Sequence, residues 1–517
     1  MKRLLFSIAI ILAIFVAYPV GVLATTYYVD NSGCGACADY RITERDCGSG
    51  SETNYATIAA AADAVSSAGD MVYIRAGTYT ESVFWDTNSG SDPDYITFEA
   101  CHDGSDGDCS DGDAYETVIS QTTSYPGYVR GVDWVKIVGI KFDKNDTSGS
   151  ALTVNCNAEN IYFEDCEFEQ GQYTVSVYCD DSSAGNVSSV TFKNCSAHDS
   201  NGEGVYFNST HSETYTISNI TWDGGSVYSN NEAFQICKNC DTTGGAGIDT
   251  IVIKNADIYS NGGAFGTIHC DAATNVTIEY NKIHDNSTSV GGMAFYGCRS
   301  VDVIGNLFYD NDGTYASNSW AASITIADSD YQTSYAAQNI NIYNNTFDRQ
   351  GADDVQGNDN GINLDSGGSG YTSVNIKNNI FNSIEGDSIN TNDANVDCQY
   401  NNFYNNGADS CDDGNNITTD PAFVSVVDGS ENYALDSGSD TIGAGVDLGD
   451  GLLYGLDPTS TWTDNVKPID QDSYGAWEIG AYVYIEAAEL GGPGTIAGGG
   501  SGSIAGGGSG SIIGTAP

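Results

Sequence analysis

Three residues stand out for the acid–base chemistry their types and spacing would allow: Glu232, His269 and Asp271. His269 and Asp271 alternate in the segment TIHCD, so in a strand both would leave the same face. Glu232 opens a comparable segment, EAFQI, one repeat earlier. A carboxyl pair can cleave a glycosidic bond, with its separation deciding the stereochemistry, and a histidine beside it can carry a proton near neutral pH. The competing reading is ordinary surface charge, since carboxylates are abundant throughout. A second group would hold a ligand rather than react. Tyr178, Tyr206, Asn208, Gln235 and Tyr296 fall at matched points of successive segments, as do Asn155, Thr325, Asn363 and Asp365. Tyrosine stacks on sugar faces and amides bond hydroxyls, so such a row suits an extended glycan. Against this, outward residues of strands are polar anyway, and tyrosine is a good strand former. A third group, Asp106, Asp108, Asp111 and Asp113, lies in the loop DGSDGDCSDGDAYE and could hold Ca²⁺. It lacks the twelve-residue calcium pattern with its closing Glu, and a solvated loop is the alternative. The five His show no metal-ligand spacing, and neither a phosphate-cradling loop nor a nucleophile elbow is visible.

The elements that must position these residues are repeats. One eight-residue phrase occurs ten times, from VKIVGIKF at Val135 through IYFEDCEF at Ile161 and INIYNNTF at Ile340 to VDCQYNNF at Val396. Positions one and three are apolar or aromatic, apart from one Cys, which marks a strand with one buried face. Positions five and six are mostly Gly, Asn or Asp, the residues that tolerate left-handed backbone in a tight bend. Each phrase therefore predicts a short strand, a corner and a second short strand. Successive starts lie from 22 residues apart (Val374 to Val396) to 39 apart (Val301 to Ile340), the range of a solenoid. Position six is Asn281, Asn306, Asn345, Asn379 and Asn401 in five repeats, and coils about 4.8 Å apart would stack these amides into a ladder. Another strand precedes most phrases, as in ALTV at Ala151, TVSV at Thr174, GVYF at Gly204 and AFQI at Ala233.

Three short strands per coil with variable loops resembles the secreted, pectate-lyase-like family of parallel β-helix proteins. The resemblance implies an all-β fold: a single-stranded right-handed parallel β-helix, or solenoid, with an N-terminal helix cap. A leucine-rich repeat also has an Asn ladder, but it keeps a regular period and uses Leu where this chain uses Ile, Val and Phe. The fold does not fix the function, since β-helices host lyases, hydrolases, epimerases and adhesins. A galacturonan hydrolase of this fold carries G-H-G and R-I-K motifs, and neither occurs here. A lyase needs a basic group, and Lys238 and Arg299 are the few near the expected face.

Charge narrows the partners. Lys+Arg is 17 against Asp+Glu 70, a formal charge of -53. Such a chain would not bind nucleic acid, and it would repel a polyanionic sugar unless a cation such as Ca²⁺ bridged the two. A solvated surface suited to saline surroundings is the simpler account of the charge. Lys2, Arg3 and the apolar run Leu4 to Val16, with Val22 and Ala24 at the cleavage positions, read as a signal peptide. An uncleaved anchor is the alternative. Export permits disulfides among the 15 Cys, and Cys34, Cys37 and Cys47 read as a disulfide clamp rather than half a metal site. Cys166 and Cys195 share position six of adjacent repeats and would form either a disulfide or stacked thiols.

The organisation expected is a signal peptide over 1–24, an N-terminal cap and first coils over 25–134, and central repeats over 135–410. A last coil and C-terminal cap follow over 411–486, then a Gly/Ser-rich disordered tail over 487–517. The segment Tyr55 to Ala68 reads as the amphipathic helix that covers the open end. The expected protein is secreted or at the cell surface, monomeric, without a transmembrane span in the mature chain. It binds or processes polysaccharide as a lyase or glycoside hydrolase, or is a non-catalytic structural or adhesive rod. No cofactor is required by the sequence, with Ca²⁺ the one candidate. The trough lined from Tyr178 to Tyr296 would be its working face.

Overall fold

A computed structural model describes residues 24–486, except 32–34, 42–45, 102–116, 180–184, 210–214, 237–246, 264, 314–319, 329–336, 351–358, 366–372, 392–394, 410, 412–413, 450 and 464. Residues 1–23 of the expected signal peptide, the Gly/Ser tail, Lys238 and the four candidate calcium aspartates lie outside the described residues. All described residues up to Tyr484 belong to one compact unit.

The phrase does what its residue types dictate. Position five has positive φ in all ten copies, from Gly139 (69°) and Asp165 (52°) to Asn378 (57°) and Tyr400 (58°). That single left-handed residue turns the chain from one sheet into the next. The first strand of each phrase joins a 16-stranded sheet, and the second joins a 12-stranded sheet. The strand preceding the phrase joins an 11-stranded sheet. Within the coils all pairing is parallel and advances one repeat at a time: Ile161 pairs with Val190, and Phe163 with Phe192. The chain is a right-handed parallel β-helix of three sheets. Helices between the strands, as a leucine-rich repeat requires, do not occur among the described residues. Antiparallel pairs are confined to the two ends of the chain, at Cys37–Arg41 and after Phe423.

Inward residues form stacks along the axis. Phe163 lies on Phe192 at 5.0 Å, and Phe347 on Phe381 at 4.8 Å. The amide ladder runs as expected: Asn281, Asn306 and Asn345 each donate to the Oδ1 of the next at 3.0 Å, as do Asn345 to Asn379 and Asn379 to Asn401. A second ladder stands at position eleven, where Asn230, Asn261 and Asn286 donate in turn to Asn261, Asn286 and Asn311 at 2.9–3.2 Å. The residue before it, position ten, is again left-handed in nine repeats, among them Asp199, Ser229, Asp285 and Arg349. Both corners are thus built alike, with buried amides satisfying the backbone groups that a corner would orphan.

The capping helix is shorter than expected, Ile58–Ala64. Tyr55 is still in the strand Glu52–Tyr55, and Val65 has already left the helical region. Thr57 caps the N-terminus by accepting from Ala60 N, and the Glu81 carboxylate accepts from Ile58 N and Ala59 N. Asp70 ends the turn by accepting from Ser66 N and Ser67 N. Ile58, Ala61 and Ala62 are buried over the first coil.

The C-terminal part departs from the expected end cap. Residues near Ile417 do extend the last coil, since Phe403 N donates to Ile417 O and Asn401 N to Asn416 Oδ1. The chain then turns back along the side of the solenoid. Tyr433 Oη donates to Asp348, Ala481 N to Thr346 Oγ1, Gly480 N to Asn378 O, and Trp462 Nε1 to Tyr280 O. The physical reason is apolar cover. Position seven carries Leu307 and Ile380 where earlier repeats carry Lys141 and Glu167, and these residues with Tyr280 and Tyr309 are buried under Tyr433, Leu456, Tyr482 and Ile479.

The described cysteines include the disulfides Cys37–Cys47, Cys156–Cys179, Cys270–Cys298 and Cys398–Cys411. Cys166 and Cys195 are buried free thiols. Burial pushes the Cys195 thiol up, and its neighbour Cys166 adds to the effect. No described helix is long and apolar enough to cross a membrane.

Candidate functional site

The outer face of the 11-stranded sheet carries the sequence candidates in two parallel rows. Strand register places Ser176, Tyr206, Gln235, His269, Ala294, Thr325 and Asn363 in one row. Asn155, Tyr178 and Asn208 share the next row, where Asp271 pairs with Tyr296 further along. Alternation along each strand does this: Ile268 and Cys270 point inward, so His269 and Asp271 must point out. Cys270, between them, is tied to Cys298, which links the strand Gly266–Asp271 to the turn between strands Gly291–Tyr296 and Arg299–Ile304.

At the centre His269 stands between two carboxylates. Its Nδ1 is 3.4 Å from Glu232 Oε2, and its Nε2 is 3.4 Å from Asp271 Oδ2. Gln235 Nε2 lies 3.2 Å from Nδ1, and the Phe265 ring stacks on the imidazole at 4.7 Å. Tyr296 meets it edge-on at 5.4 Å. Glu232, His269 and Asp271 are each under 5 % exposed. Burial by itself would lower the His269 pKa, but Asp271 and Glu232 outweigh it and hold the ring up at about 9. This favours the imidazolium at neutral pH, in which Nδ1 donates and the Gln235 amide would turn its oxygen, not Nε2, toward the ring. Glu232 Oε2 and Asp271 Oδ2 face the ring as its ion-pair partners, while among the described residues Asp271 Oδ1 is buried without a hydrogen bond. Burying such a charged cluster is costly, and packed apolar residues would often serve stability as well or better.

The sugar-contact candidates are placed less openly than a trough requires. Tyr206, Asn208 and Gln235 are buried, and Asn208 Nδ2 is turned onto Tyr206 Oη. Tyr173 covers Tyr206, stacked at 4.4 Å, and Trp320 lies beside Tyr296 at 6.2 Å. Tyr178 and Tyr296 are half-buried. Phe265 and Trp320 lie outside the phrase and its preceding strand, whereas Tyr173 opens the strand Tyr173–Cys179, one residue before the aligned TVSV.

Two other histidines also stand between carboxylates. On the 12-stranded sheet His198 bonds Asp199 and Glu167, both at 3.0 Å, and His284 bonds Asp285 and Asp257 at 2.6 and 2.8 Å. Both sit in a ring stack with Tyr228, Tyr259 and Tyr309, spaced 4.7–5.4 Å. Of the acidic groupings that could hold an ion, Asp310 and Glu431 already share the Arg349 guanidinium, and His198 is taken up by Glu167 and Asp199.

No protein-family model and no curated protein matches the sequence. Among solved structures the chain is similar to the pectate lyase Pel9A, at 15% identity and TM-score 0.48, covering 89% of this chain and 97% of that one. It is also similar to the A-module of a mannuronan C-5 epimerase of Azotobacter vinelandii, at 16% identity and TM-score 0.45, covering 74% and 99%. A surface adhesin of Streptococcus pneumoniae gives 13% identity and TM-score 0.40, covering 76% and 93%. At such values the likeness carries no argument about activity, and the strand pairing itself defines the fold.

Proposed function

We propose that this chain is an exported β-helix protein that binds and processes a polysaccharide, with His269 as its proton donor. The observation that carries the reading is the buried His269 ring held between the Glu232 and Asp271 carboxylates on the outer face of the sheet. A buried ionisable group perturbed by specific charge partners is a candidate for chemistry. His269 would give its proton to the leaving oxygen of the glycan, which keeps the bonding pair, while the carbon released either takes up water or forms a double bond as its neighbour loses a proton, and the proton set free in either case restores the ring. Glu232 and Asp271 would hold it charged beforehand and stabilise the positive charge that remains until the proton is lost. Because the imidazole separates the two carboxyl groups, an acid pair working directly across a glycosidic bond is the weaker arrangement. Substrate reaches His269 only once the Phe265 ring gives way.

The signal segment and the disulfides support export. The acidic charge favours a neutral glycan, or a uronate polymer bridged by Ca²⁺. The exported protein is to be assayed on a polysaccharide panel with and without Ca²⁺, following unsaturated products and reducing ends. His269→Gln and Asp271→Asn should each lower turnover at least about a hundredfold while leaving circular dichroism unchanged. Full activity in both variants would remove the assignment from this face. If no polysaccharide is bound or cleaved, the non-catalytic rod becomes the better account.

A further inference from the structure

Phe84, Tyr125 and Tyr128 form an exposed aromatic platform on the first coils of the same sheet. Phe84 and Tyr125 are 41% and 38% exposed, values otherwise reached by few large apolar side chains of this chain. The Phe84 and Tyr125 rings lie 5.5 and 5.6 Å from the Tyr128 ring. Register places Phe84 and Tyr128 in the row that continues through Thr153, Ser176, Tyr206 and Gln235 to His269. Six coil steps separate Phe84 from His269, or about 29 Å along the axis.

Arg130 is the second, independent feature. It alternates with Tyr128 on one strand end and is exposed. Among the described residues its guanidinium has neither an ion pair nor a hydrogen bond, whereas Lys136, Lys141, Lys193 and Lys377 all pair with carboxylates. In a chain with 17 basic and 70 acidic residues, an unpaired surface guanidinium beside three rings is not what charge neutralisation would produce.

We infer that this platform is a glycan-anchoring site, separate from the His269 cluster, that takes a neutral polysaccharide. Ring faces offer stacking to the C–H face of a pyranose, and Arg130 offers planar N–H donors to its hydroxyls. A polymer lying along the helix axis would meet Phe84 on one coil and Tyr128, with Tyr125 beside it, on the next, and the coil spacing is close to the length of one sugar unit. The overall negative charge disfavours a uronate chain here, and the Asp133 carboxyl, three residues after Arg130, is pushed up first by burial and then by the charge of Glu159. Anchoring at this distance would keep a long chain on the sheet while its remote sugars reach His269. The inference rests on the glycan-handling reading above.

The test is affinity electrophoresis of the full chain through gels containing galactan, mannan, β-glucan, polygalacturonate or alginate. At least one neutral polymer should retard the protein. The double variant Phe84→Ala/Tyr128→Ala should weaken that retardation roughly tenfold or more, by the loss of two stacking rings. Arg130→Gln should weaken it less, Tyr474→Ala should leave it unchanged, and His269→Gln should still be retarded. Undiminished retardation of the double variant overturns the anchoring site while leaving the His269 assignment standing. Retardation by the uronans alone overturns the neutral-glycan class. Retardation by none of the polymers overturns the anchor, and turnover on soluble oligosaccharides then decides the His269 assignment separately.

Discussion

Side chains at single positions set what this face can do. His269 is raised to about 9 against an ordinary value near 6.5. A raised basic group stabilises the fold fully below its unfolded pKa and loses that contribution as pH rises through the folded one. Melting temperature should therefore fall between about pH 6.5 and 9, with His269 contributing roughly 3 kcal/mol across the window. His198 and His284 are raised as well and act in the same direction, so the difference between wild type and Asp271→Asn isolates the His269 share. A variant that melts with the same pH profile as wild type would mean that Asp271 does not hold the proton. A second expectation concerns Cys195, whose buried thiol is pushed up and is poorly ionised. Cys166 and Cys195 should resist alkylation in the native protein and react after unfolding; peptide mapping that finds them joined would contradict the free pair. Glu232, His269 and Asp271 were legible in the sequence because alternation and repeat register suffice to bring them to one face. Their burial was not, because the Phe265 ring that stacks on His269 comes from outside the repeated strands.

At the level of the element, the corner carries the specificity. Asn345 donates to Val303 O, Tyr343 O and Asn379 Oδ1, and its own oxygen accepts from Asn306. Asn345→Leu strands all of these at once and should cost about 3 kcal/mol or more. Since coils touch mainly their neighbours, the loss should be local. Hydrogen exchange should accelerate in strands Leu307–Tyr309 and Ile380–Asn382 and stay unchanged near Phe163; uniform acceleration would show that the rod unfolds as a single unit. The ladder at position six was readable because the repeated phrase spans it. The ladder at position eleven was equally present in the sequence, three residues beyond the aligned eight, and extending the alignment to Asn230, Asn261, Asn286 and Asn311 reveals it. The helix was read too long because Tyr55-Ala56 and Val65 fit an amphipathic pattern while Thr57 and the extended Val65 backbone set the real limits.

Over the whole molecule, charge and the returning C-terminal segment matter most. With a formal charge of -53 the chain repels itself, and added salt should raise the melting temperature, mostly between low ionic strength and about 0.15 M, where screening becomes effective. A flat response would mean that the carboxylates are spaced widely enough not to limit stability. The returning segment could not be inferred from the repeats, because its partners are outward positions that only tertiary contact makes apolar; Leu307 and Ile380 at position seven were the one available sign. That segment also imposes an order on biosynthesis. Coils can form as they emerge, each on the one before, but the stripe through Tyr280, Leu307, Tyr309 and Ile380 has no cover until residues 433–483 have been made. For most of its synthesis the nascent chain is a nearly complete rod with a greasy seam. A message cut short by a premature stop codon would leave that seam permanently open, and such products should be found with chaperones or in aggregates rather than among exported protein.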